Sequence, residues 1–119
     1  MQLTDEETFA LGRLFAGTDA LDAAIASTAH RATVIERSST TCGAFATIRF
    51  PDPLPSAIGA LQRDWNFSHR DLEHGGSLMA SLVYPDVIEL EFVAHIEPWP
   101  KAFDPSAFSE DGSVDPIES

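Results

Sequence analysis

At Arg31 the spacing of apolar residues changes from three and four to two, and that change limits the fold classes open to the chain. Before it, Leu11, Leu14 and Phe15 share one helical face, and Leu21, Ala24, Ile25, Thr28 and Ala29 recur at i, i+3, i+4, i+7 and i+8. Thr4 stands three residues before Glu7, the spacing of a capping box. Asp5, Glu6 and Glu7 suit the positive end of a helix dipole. The pattern predicts one helix from about Asp5 to Ala16, stopped near Gly17, and a second capped by Thr18.

Beyond Arg31 the segments "RATVIERS" and "GAFATIRF" read as strands, and the second ends at "PDPLP", where prolines forbid further ladder pairing. "SAIGALQRDW" is expected to hold a helical turn and "FSHRDLEH" a short strand. "SLMASLVY" and "VIELEFVAHI" flank Pro85-Asp86, a connection short enough for a hairpin. Pro85 fits the second position of an ordinary turn better than a primed one. The last of these strands has a core face of Ile88, Leu90, Phe92, Ala94 and Ile96. Its other face carries Glu89, Glu91, His95 and Glu97.

Helices followed by consecutive strands indicate an α+β fold, with two N-terminal helices packed on a mostly antiparallel sheet of four to five strands. A chain of 119 residues supports one core. We expect a single domain over residues 1–101 and an acidic tail over 102–119 whose last ten residues or so are mobile. Phe103 and Phe108 are positioned to pin the start of that tail to the sheet. The lone Cys42 excludes an internal disulfide. The acidic opening differs from a signal peptide, and no apolar run approaches the length of a membrane span. The expected setting is therefore the cytoplasm.

Formal net charge is −12, which argues against nucleic-acid and anionic-membrane partners because phosphates would be repelled. Residues 1–70 carry 8 acids and 6 bases, whereas residues 71–119 carry 11 acids and only Lys101 as a base. A basic protein would be steered toward the C-terminal half, less so as salt rises.

Catalytic constellations do not emerge. "HRDL" at 69–72 shares its spelling with the kinase catalytic loop, but Gly76 stands where that loop needs a metal-holding Asn, and no glycine-rich nucleotide loop precedes it. No cofactor is expected. Glu91 and His95 are about 13 Å apart along a strand and cannot share an ion, so no metal site is expected either. Glu89 and Glu91 lie about 7 Å apart on one face and read as solvated, with Arg37, Arg49 or Arg70 as candidate cross-strand partners. Trp99, held between Pro98 and Pro100, reads first as a plug for the open end of the core.

Three stretches, "ERSSTTCGAFATI" at 36–48, "LEHGGSLMASL" at 72–82 and "LEFVAHIEPWP" at 90–100, carry a resemblance to a group of small uncharacterised bacterial proteins. Their shared pattern is a hairpin closing in "LE" and then "E-x-W-P". The resemblance covers about half of the chain. It supports the fold more than an activity, although some members look like immunity or accessory proteins.

The expected function is therefore a non-enzymatic binding domain whose acidic half engages a basic protein through Glu89, Glu91, Glu97 and Trp99. The alternative is a small-molecule-binding or hydrolytic domain with a pocket between helices and sheet, lined by Arg37, Arg49 and His74.

Overall fold

The chain turns helical at Thr4, as the capping box predicts. The Thr4 hydroxyl accepts the backbone N–H of Glu7 at 3.1 Å, and the Glu7 carboxylate accepts that of Thr4 at 2.8 Å. In the computed structural model, which describes residues 1–55 and 62–110, helix α1 spans Asp5–Leu14 and helix α2 spans Ala20–Thr28. Helix α2 is capped by Asp19 rather than Thr18: the Asp19 carboxylate accepts the N–H of Asp22 at 2.8 Å. A carboxylate is the stronger acceptor at a helix N-terminus, so it takes the position from the neighbouring hydroxyl.

Six strands follow: β1 Thr33–Thr40, β2 Gly43–Arg49, β3 Gln62–His69, β4 Leu72–Tyr84, β5 Val87–Ala94 and β6 Phe108–Glu110. They form one antiparallel sheet in the order β1-β2-β5-β4-β3-β6. The α+β class and the N-terminal helices agree with expectation, but the sheet has six strands rather than four to five. The sixth is the three-residue β6, too short to show a period, which pairs with β3 on the far edge.

Two further expectations shift. "FSHRDLEH" is a hairpin rather than a strand: β3 ends at His69, Arg70-Asp71 form the turn, and Leu72 opens β4. In "SAIGALQRDW", residues 62–65 are strand, and the expected helical turn otherwise falls on 56–61, outside the described residues. The tail end, 111–119, is outside them too.

Around Pro85-Asp86 the hairpin forms as expected. Gly75, at φ +69°, is the only described residue with positive φ, so the Pro85-Asp86 turn is not a primed one. The register shift between Leu82 and Tyr84 absorbs the mismatch by inserting Val83 into one strand. The proline-rich loop docks on that turn, with Phe50 N–H donating to Asp86 O and Leu54 N–H to Pro85 O, both at 2.7 Å.

Register assembles the helix-covered face in rows. Val34, Ile48, Ile88 and Leu82 form one. Ser39, Ala44, Phe92, Leu78 and Trp65 form another. Between them lies Arg37, Ala46, Leu90, Ala80 and Arg63. Leu90 and its flanking alanines are buried, and the small alanines let the helical layer approach. Burying each large side chain here stabilises the fold by about 1.5–3 kcal/mol.

Both ends of this row grip the helices. Arg37 makes a two-pronged contact with Glu7, Nε to Oε2 at 2.7 Å and Nη2 to Oε1 at 2.9 Å. Arg63 donates to Asp22 Oδ1 at 2.8 Å, to the Leu14 carbonyl at 3.0 Å and to Asp19 at 3.3 Å. Glu7 and Asp22 are both buried, so these are the points where a removed partner would strand a charge.

An aromatic cluster of Phe9, Trp65, Phe67, Trp99, Phe103 and Phe108 closes one end of the core. Phe108 lies 4.9 Å from Phe9 and 4.8 Å from Phe67, so β6 is held by ring packing as well as by pairing.

Candidate functional site

Among the described residues the helices cover one face of the sheet, and of the cross-strand rows on the opposite, open face two carry its acids. Glu36, Thr47, Glu89 and Ser81 make the first. Ser38, Phe45, Glu91, Met79 and Asp64 make the second. Directly paired residues on one face hold their Cβ atoms about 4.5–5.5 Å apart, so Glu91 lies between Phe45 and Met79, Asp64 borders Met79, and Glu36 and Glu89 flank Thr47 in the adjacent row. Phe45 is 36% exposed.

Cross-strand arginines do not neutralise this face. Glu89 faces Thr47 and Ser81, and Glu91 faces Phe45 and Met79. Arg37 lies on the other face with Glu7, Arg49 sits at the sheet margin 3.9 Å from Asp86, and Arg70 pairs with Asp104 at 3.1 Å. Among the described residues, no ion pair reaches Glu36, Asp64, Glu89 or Glu91.

Of the four residues expected to contact a partner, the strand register places Glu89 and Glu91 on this face, while Glu97 lies beyond the end of β5. Trp99 packs on the helical side, edge-on to Phe92 at 5.8 Å and Phe67 at 6.1 Å, and its Nε1–H donates to Glu6 at 3.1 Å. That is the core-plug position. Burial pushes the Glu6 carboxyl up; the Trp99 bond offsets part of this and the neighbouring Glu7 charge adds to it, leaving Glu6 above its ordinary value. Ile96 is 64% exposed rather than in the core: β5 ends at Ala94, and Trp99 N–H then folds back to Thr41 O at 3.0 Å.

Arg37, Arg49 and His74 do not converge either. Arg37 borders a groove of about 260 Å³ with Glu6, Ser39 and Phe92, but its guanidinium is committed to Glu7 and the Gln2 carbonyl. His74 is instead brought to Glu97, a residue expected at a different site: ring Nδ1 lies 3.0 Å from Glu97 Oε2, and its backbone N–H donates to Oε1 at 3.4 Å. Partial burial pushes the Glu97 carboxyl up, but these bonds from His74 outweigh it and hold Glu97 below the usual carboxylate range.

This pair belongs to a polar chain along the sheet end. Ser77 Oγ donates to Asn66 Oδ1 at 2.5 Å and lies 2.9 Å from His95 Nε2, while His95 Nδ1 lies 3.1 Å from the His74 carbonyl. Ser77 and His95 have the spacing of a nucleophile and base. The Ser77 hydroxyl proton is directed to Asn66, however, and Ser77 is buried, so the contacts tie β3 and β4 to the residue that follows β5.

Sequence reasoning missed Phe45 as the exposed ring beside the acids of the open face, and missed the meeting of Glu73, His74 and Glu97. The second follows from strand register rather than from any local pattern: carrying the Gly76–Ala94 pairing three residues further sets Glu97 opposite Glu73.

No protein-family model, curated protein or solved structure matches the chain. Among the described residues, no helix is long and apolar enough to cross a membrane.

Proposed function

We propose that the protein is a non-enzymatic binding domain, immunity-like or accessory in kind, that works in the cytoplasm and seats a basic protein on the open face of its sheet. What supports this proposal is the set of carboxylates Glu36, Glu89 and Glu91 near the exposed ring of Phe45, with Asp64 further along the same face beside Met79, none of them in an ion pair among the described residues. Such a face offers a partner's arginine both halves of its usual recognition: a ring to stack on and carboxylates to accept its N–H groups. The net charge of −12 adds long-range steering toward the same kind of partner and repels nucleic acid. A pocket built from Arg37, Arg49 and His74 has less support, because those side chains reach three separate places.

The test is a low-salt pull-down from native cells, run in parallel with the wild-type chain and with a Glu89→Lys/Glu91→Lys variant. A basic protein retained by the first and lost by the second is expected. Retention unaffected by the double reversal would end the proposal.

A further inference from the structure

At the start of β4 the pleat is interrupted. Gly75 adopts φ +69°, and the β3–β4 register shifts between Phe67 and His69. Glu73 and His74 are consecutive and in a regular strand would face opposite ways. Here donor atoms of Glu73, His74 and Glu97 all lie within 4.8 Å of one another. We propose that these three side chains form a binding site for a divalent transition-metal ion, with zinc the ion that the donor set suits best.

One imidazole nitrogen with two carboxylates is a borderline ligand set, matched to zinc and its neighbours rather than to magnesium or calcium, which favour oxygen alone. Zinc holds such donors at about 2.0–2.2 Å, which places them about 3.3–3.5 Å apart around a tetrahedron. His74 Nδ1 and Glu97 Oε2, at 3.0 Å, already have nearly that separation. Glu73 is exposed, and its carboxylate lies within 4.8 Å of the other two donors. The backbone prepares the site: His95 N–H donates to Gly75 O at 3.1 Å, and His95 Nδ1 lies 3.1 Å from the His74 carbonyl, so the residue that follows β5 holds the His74–Gly75 segment in place. Three protein ligands leave a fourth position for water or a partner's side chain. The site lies beyond Ser77 and Val93 at the end of the sheet, and it stands independently of the docking face.

The test is calorimetric titration of the metal-stripped full chain with zinc chloride, together with NMR of the imidazole resonances. The expected result is one zinc per chain, weakened about tenfold or more in both His74→Ala and Glu97→Gln and unchanged in His30→Ala. In the unmutated chain the His74 resonances shift at one equivalent while those of His30 stay in place, a readout that does not depend on the variants folding. No saturable binding, binding unchanged in His74→Ala and Glu97→Gln, or a shift confined to other histidines would overturn the site.

Discussion

Arg37 on β1 and Arg63 on β3 stand at the two ends of one cross-strand row, and each closes on a buried carboxylate of a different helix, Glu7 and Asp22. The row spans four strand spacings, about 19 Å. Helix α1 rises about 10 Å between Glu7, above Arg37, and Leu14, whose carbonyl meets Arg63, and the long arginine stems cover the rest.

Removing one partner of this clamp leaves a buried charge behind. Arg37→Met should destabilise the fold by about 3 kcal/mol, the low end for a broken buried pair because Arg37 keeps partial solvent contact. Glu7→Gln/Arg37→Met should cost clearly less than the sum of the two single changes. Urea unfolding of the four proteins in the cycle measures this; additive losses would mean that the pair is uncoupled.

Adjacent Glu6 and Glu7 should respond to pH in opposite senses. Burial pushes Glu7 up, but its bonds with Arg37 and Thr4 outweigh that, so its folded value lies below the ordinary 4.5. Its stabilising contribution is full above about pH 4.5 and is lost as pH falls through the lowered folded value. The folded value of Glu6 is raised, so its ionised form is penalised at neutral pH and the penalty fades as pH falls toward 4.5. Glu6→Gln, which keeps an acceptor for Trp99, should therefore raise Tm by a few degrees at pH 7 and lose that advantage in acid. Glu7→Gln should lower Tm at pH 7 and converge with the wild type in acid. Thermal melts across pH check both signs.

His69 sets a second acid limit. It is buried against Phe108, which pushes its pKa below the ordinary 6.5, and its Nδ1 accepts the Asp71 N–H at 3.0 Å, a bond that only the neutral ring can make. With the folded value depressed, stability is full above about pH 6.5 and is lost as pH falls below it toward the folded value. His69→Phe should flatten this part of the Tm-against-pH curve. A curve of unchanged slope would remove His69 from the account.

Gly43 is fixed by close approach rather than by a turn. A Cβ there would collide with the Phe92 carbonyl, so Gly43→Ala must push β2 and β5 apart where they pair. A loss of about 2 kcal/mol or more in urea unfolding is expected, and a neutral change would contradict the tight strand contact.

The helices and most strands were legible because each is written locally. Thr4 and Glu7 lie within one turn, and the β5 period of two holds through Ala94. Glu89 and Glu91 could be placed on one face by the same period. That Glu36, Asp64 and Phe45 join them depends on register across five strands, which no local pattern states. The period also misplaced Ile96, because nothing in the alternation marks where β5 stops. Trp99 went to the opposite face from the glutamates once the chain folded back to Thr41. β6 was hidden because its three residues depend on ring contacts to Phe9 and Phe67.

The most direct test of the docking face is the affinity of the captured basic partner, measured against salt for the wild type and for Glu89→Lys/Glu91→Lys. The account predicts a loss of at least about tenfold, or about 1.4 kcal/mol, from the double reversal, together with weaker salt dependence. Equal affinity and equal salt dependence in the two proteins would contradict it.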